Sequence, residues 1–85
     1  MDKIVLAETT KDPEILDELS RDEECWVRWN VASNRNTNPE TLDVLSMDEN
    51  TYVRCLVAEN PNCSERAYKY IMGLKLLKSL SEVSN

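Results

Sequence analysis

The chain has 85 residues, 41% of them hydrophobic, and a formal net charge of −6. This size allows one domain with a thin core, which buries roughly 60% of the surface its unfolded chain exposes. The acidic balance argues against direct nucleic-acid binding, which needs a basic face, and against docking on anionic membranes. Charge is also uneven. Residues 1–63 hold 14 acids against 6 bases, whereas Glu65 and Glu82 face Arg66, Lys69, Lys75 and Lys78 in residues 64–85. Three cysteines, Cys25, Cys55 and Cys63, have no paired spacing, which fits a reducing cytoplasm rather than a disulfide framework. The opening MDKIVLAETTKD has a short apolar run and is not a signal peptide. No apolar run approaches the roughly 20 residues of a membrane-spanning helix.

The chain repeats itself. Shifted by 26 positions, Lys11 to Asn36 falls on Thr37 to Asn62, and 14 of the 26 aligned pairs are identical. A fixed period in this range is the mark of a solenoid, in which each unit buries its apolar face on the next. In this register residues 1–11 form an N-terminal half repeat. Met1, Ile4 and Val5 lie at helical spacing and predict a short capping helix that ends near Glu8. Residues 12–37 and 38–63 are the two full repeats. Asp12-Pro13 and Asn38-Pro39 are helix starts, an N-cap side chain followed by proline at the first helical position. Leu16 and Leu19, then Leu42 and Leu45, give the first helix of each repeat its apolar edge. Ser20 with Glu23 and Ser46 with Glu49 have capping-box spacing, and Asp22 and Asp48 are rival caps. The second helices carry Val27, Val31 and Ala32, then Val53, Val57 and Ala58. Asn34 and Asn60 suit the left-handed position after a helix.

Residues 64–80 open a third unit in register and then depart from it, as one longer capping helix, with residues 81–85 as a frayed tail. Ala67, Tyr70, Ile71, Leu74 and Leu77 form one apolar stripe, expected to close the stack. Tyr68, Met72, Leu76 and Leu80 form another, expected to be left over. Gly73 costs about 1 kcal/mol against alanine, and is either a point of close backbone approach or simply tolerated.

The units resemble the leucine-rich repeat variant and related HEAT-like repeats through Pro39, Leu42, Leu45, Asp48, Val53, Arg54, Val57, Ala58, Asn60 and Pro61. The preceding unit supplies Pro13, Leu16, Leu19, Asp22, Val27, Arg28, Val31, Ala32 and Asn34, with Arg35 in place of the proline. The resemblance covers residues 1–66. It implies an all-α fold, a short right-handed α-solenoid of helical hairpins, and a binding scaffold rather than an enzyme. Some members carry an N-terminal cysteine-rich iron–sulfur region; no such cluster is present here, so no cofactor is implied. DNA-binding relatives use a basic groove, which this acidic chain does not offer.

Arg28 and Arg54 read either as a pair grasping an acidic partner or as a structural ladder with Asp22 and Asp48. The resemblance favours the ladder. Trp26, Trp29 and Tyr52 are the leading binding residues if exposed, because aromatics dominate interface hot spots; alternatively both indoles fill helix seams. Asn30 and Cys55 extend that face. Asp17, Glu18, Asp22, Glu23, Glu24, Asp43, Asp48 and Glu49 gather near the hairpins, either as a solvated rim or as a nucleic-acid mimic. No histidine, metal-ligand spacing, phosphate loop or nucleophile–base pair points to catalysis, and the cysteines read as packing residues.

The expected function is therefore non-enzymatic protein binding, as a small cytoplasmic adaptor or inhibitor. Met72, Leu76 and Leu80 are the expected homodimer seam. One alternative is a phage-type acidic inhibitor, anti-CRISPR-like, that blocks a basic nucleic-acid site on a host defence enzyme. The other is a partnerless fragment of a longer array, against which Met1 and the long last helix argue.

Overall fold

Most of the helices begin where a short polar side chain replaces a missing intrahelical partner. The computed structural model describes the backbone of residues 2–83 and the side-chain burial of residues 2–77. Among these are six helices and no strand: α1 Lys3–Thr9, α2 Pro13–Leu19, α3 Cys25–Ser33, α4 Pro39–Leu45, α5 Thr51–Glu59 and α6 Glu65–Val83. Asp2 accepts from the Ile4 N–H and Asp12 from the Glu14 N–H, each at 2.9 Å. Asn50 accepts from the Tyr52 and Val53 N–H groups. Asn38 makes no side-chain cap, and Pro39 starts α4 with its φ already near the helical value.

The hairpin turns do not use the capping boxes. Ser20 and Ser46 turn back to the carbonyls of Asp17 and Asp43 and close α2 and α4. Asp22 and Asp48 are not the caps either: the N-caps are Glu24, which makes no side-chain bond, and Asn50, and the two aspartates each accept the N–H of that cap residue, two positions on, at 2.9 Å. This turn geometry is the usual preference of aspartate.

Asn34 and Asn60 are not left-handed. Both are extended, with φ −76° and −74°, and no described residue has positive φ. Their carboxamides instead cross to the preceding unit. Asn34 Nδ2 donates to the carbonyls of Ala7 and Thr10, each at 2.9 Å. Asn60 Nδ2 donates to those of Ala32 at 2.8 Å and Asn34 at 3.0 Å. Each Oδ1 then accepts the N–H two residues later. Helix-end carbonyls lack intrahelical partners, and these side chains supply them from the next unit.

The core follows the repeat. Leu16, Val27, Val31 and Ala32 are fully buried, as are Leu42, Val53 and Val57. Helix α3 packs between α1 and α5, α5 packs on α6, and consecutive helices pair as hairpins. The molecule measures 49 × 23 × 15 Å. In α1 the inward residues are Ile4, Leu6 and Ala7, whereas Val5 is exposed; Met1 lies outside the described residues.

Helix α6 departs most from expectation. Its two stripes do not separate into core and surplus. Ala67 and Ile71 are buried and Met72 is partly buried against the core, so Met72 does not belong to a free seam. Tyr70, Leu74 and Leu77, expected inside, are exposed. The reason is that α6 packs on α5 along one narrow line, and among the described residues the side chains on its other sides stay exposed. Leu80 lies outside the residues whose side chains are described. The helix runs to Val83, past the expected frayed start at residue 81, and residues 84–85 lie outside the description. A Cβ on Gly73 meets nothing within 4 Å, so the glycine is tolerated and serves no close approach.

Asn60→Ala should cost about 2–4 kcal/mol, because it removes two inter-unit donors and leaves buried carbonyls unpaired. Urea unfolding, read as a lowered midpoint with unchanged slope, checks this; a loss near zero would mean that water replaces the carboxamide.

Candidate functional site

The repeat places Trp26 and Tyr52 at equivalent positions of α3 and α5, and Trp29 one turn after Trp26. The three rings stack. Trp26 and Trp29 lie 4.5 Å apart between centroids with planes 17° from parallel, and Trp29 and Tyr52 lie 6.1 Å apart at 11°. Trp29 is partly buried and rests on the core, while Trp26 is 52% and Tyr52 68% exposed. Such pairs contribute about 0.5–1.5 kcal/mol each beyond area burial. Neither open reading of the indoles holds alone: one is anchored, and it props two exposed rings.

The other expected contact residues are elsewhere. Asn30 Nδ2 donates to the Ile4 carbonyl at 2.9 Å, another bond between units. Cys55 is partly buried and lines a small cleft with Thr51, Arg54, Ile71, Leu74 and Lys75, against α6.

The charged residues form a partial ladder. Lys3 Nζ is 3.1 Å from Asp22 Oδ2. Arg28 grips Asp48 with two bonds, Nε to Oδ2 at 2.7 Å and Nη2 to Oδ1 at 3.3 Å. In each pair the base belongs to one unit and the acid to the next. Both side chains of the second pair are nearly buried, 10% and 8% exposed. Arg28 Nη1 also bridges the carbonyls of Asp22 and Glu23. Asp48 pulls the Arg28 guanidinium above its ordinary pKa against the opposing effect of burial. Arg54 departs from this pattern. Its Nη1 donates to the Asp48 carbonyl and its Nη2 to Thr51 Oγ1 at 3.1 Å, and it forms no ion pair among the described residues. The third unit has Leu74 where the ladder needs an aspartate.

One surface was not foreseen. A cleft of about 550 Å³ opens between α4 and α6, lined by Asp43, Val44, Ser46, Met47, Arg66, Ala67, Lys69 and Tyr70. Val44 and Met47 are exposed there. The signal was present in the alignment: they stand where the preceding repeat has Glu18 and Arg21. The carboxylates at the hairpins point largely to solvent. Glu18, Glu23, Glu24, Asp43 and Glu49 are exposed, while Asp17, Asp22 and Asp48 are partly buried in hydrogen bonds.

Among the described residues no group of three potential ligands is placed to hold a metal ion, and no helix is long and apolar enough to cross a membrane. Burial, with the nearby Asp43 charge, pushes the Cys63 thiol above its ordinary pKa, which leaves it a poor nucleophile. Comparison with protein-family models, curated proteins and solved structures returns no match to this chain.

Arg28→Ala should destabilise by about 3–5 kcal/mol, because Asp48 would keep a nearly buried, unpaired charge; Arg54→Ala should cost clearly less. Equal losses in thermal unfolding would contradict the asymmetry. The acid limb of stability gives an independent check. The Glu24 N–H, then the Lys3 ammonium, hold Asp22 below its ordinary value of 3.8. A lowered folded-state pKa stabilises fully above the unfolded value and is lost as pH falls through the folded one. Asp22→Asn should therefore flatten the stability loss below about pH 4, followed by urea midpoints against pH.

Proposed function

We propose that the chain is a non-enzymatic protein-binding module, a small cytoplasmic adaptor or inhibitor, built as a short right-handed α-solenoid. The 26-residue period and the hydrogen bonds from Asn30, Asn34 and Asn60 to the preceding unit support that architecture. Two HEAT-like repeats, an N-terminal half repeat and the closing helix α6 would then present the second helices as a recognition face.

The observation that carries the function is the aromatic stack. Trp26 and Tyr52 keep half or more of their surface in water, on either side of an anchored Trp29, and that surface is free to bury against a partner. Rigid aromatics held in place lose little conformational entropy on binding and make strong anchors. The partner suited to this face is a protein segment with apolar or aromatic side chains.

A second reading rests on the carboxylates. Glu14, Glu18, Glu23, Glu24, Glu40 and Glu49 are exposed, a surface that supports an acidic inhibitor covering a basic nucleic-acid site. Salt separates the two, because exposed charge pairs are screened and apolar contacts are not.

Selection of a displayed-peptide library on the wild-type chain tests both readings. The expected product is an apolar or aromatic motif whose binding survives 0.5 M salt. Trp26→Ala and Tyr52→Ala should each weaken binding about tenfold or more while the protein stays folded, its melting temperature lowered by no more than about 10 °C for the loss of one stacked pair. Lysine- and arginine-rich motifs released by salt would favour the acidic inhibitor. Light scattering on the same samples tells whether a second copy covers the exposed Leu76 and Leu77 of α6.

A further inference from the structure

The ladder that joins one unit to the next ends on a base without its acid. Lys3 meets Asp22 and Arg28 meets Asp48. Arg54 keeps one backbone contact of that arrangement and turns its Nη2 to the Thr51 hydroxyl. Its Nη1 holds the Asp48 carbonyl as Arg28 Nη1 holds that of Asp22. The residue aligned with Asp22 and Asp48 is Leu74, and Leu74 lines the cleft beside Arg54. Leu74 lies within helix α6 rather than in a hairpin turn, and the space beside it is a small cleft that Arg54 also lines. Lys75 lines the same cleft, as does the Thr51 hydroxyl, and no lining residue is acidic. Neither Arg54 nor Lys75 forms an ion pair among the described residues. Two bases without an acid stand out in a chain whose net charge is −6.

We propose that the Arg54 cleft is a carboxylate-binding site, filled by one acidic side chain of a protein partner. The chemistry is set by the molecule itself, since one unit earlier the same guanidinium position takes a carboxylate through two bonds, 2.7 and 3.3 Å long. A planar fork of donors matches a carboxylate edge, and charge assistance makes such contacts about twice as strong as neutral ones. The cleft holds about 90 Å³. That is room for a side-chain carboxylate, and far below the roughly 300–1,000 Å³ of small-molecule pockets. Ile71 and Leu74 supply apolar walls, which weaken competition from water. Only the source of the carboxylate rests on the protein-binding reading. The site itself is testable with a small probe, so the two ideas fail separately.

The probe is N-acetyl-aspartate amide, titrated into 15N-labelled protein while the arginine Nε–Hε signals are followed by NMR. The Arg54 signal should shift and saturate in the millimolar range. The Arg28 signal should stay still, because Asp48 occupies it. N-acetyl-asparagine amide and sodium chloride at matched ionic strength should leave Arg54 unmoved, and Lys75→Ala should weaken the response about two- to fivefold. Leu74→Asp provides the second arm. It should fill the site from within, raise the melting temperature and abolish the titration. An Arg54 response equal in sodium chloride would overturn the proposal, as would a folded Leu74→Asp variant that still binds the probe. Tighter binding of inorganic phosphate than of the aspartate probe would replace the carboxylate assignment by a phosphate one.

Discussion

Helices of seven to nine residues do not persist alone in water, because nucleation outweighs the few hydrogen bonds that follow. Five of the six helices described here are that short. Their persistence depends on packing their apolar faces together, and the carboxamides of Asn34 and Asn60 tie the packed units to one another. Each reaches back one unit and holds helix-end and loop carbonyls that would otherwise face a buried gap. These bonds do more than join neighbours. They fix the rise from unit to unit, and that rise decides which side chains meet across the seams. Leu16 and Leu42, Val27 and Val53, and Val31 and Val57 are fully buried at matching positions, because the units are held in register.

The same register creates the two candidate surfaces. Trp29 reaches Tyr52 in the next unit only because α3 and α5 stack closely, and the exposed Trp26 continues the column. The ion-pair ladder uses the same rise, joining Arg28 to an aspartate in the next hairpin. Where the repeat is faithful, the ladder is satisfied and structural. Where the third unit breaks the repeat, with Leu74 in the aspartate position, the same arginine faces a small open cleft. A departure from periodicity thus turns a structural residue into a candidate ligand group.

Helix α6 has only one helix, α5, as its main packing partner. It covers α5 along Ala67 and Ile71 and leaves Tyr68, Tyr70, Leu76 and Leu77 in solvent. Its start is well supported. Ser64 accepts the Ala67 N–H and donates to Asp43, and Glu65 pairs with Lys69 one turn on. The cleft beside α4 opens because α6 pairs with α5 and is not held against Val44 and Met47.

Periodicity alone determined a great deal. The first five helices, the burial of the leucine and valine layers and the starts at Asp12 and Pro39 follow from residues that recur every 26 positions, and α6 from the helical spacing of its own apolar residues. Such features are local or repeat in kind, so one chain holds enough copies to show them. Tertiary structure decided what the repeat leaves free. A carboxamide after a helix suits a left-handed turn as well as a bond to the previous unit, and only the nearby Ala7 and Ala32 carbonyls choose the second for Asn34 and Asn60. An apolar residue on α6 can face in or out, and the single line of contact with α5 put Met72 inward and Leu77 outward. Arg54 is identical to Arg28 in sequence. It differs only in what the next unit brings within reach, and that depends on distance in space, which the order of residues does not state.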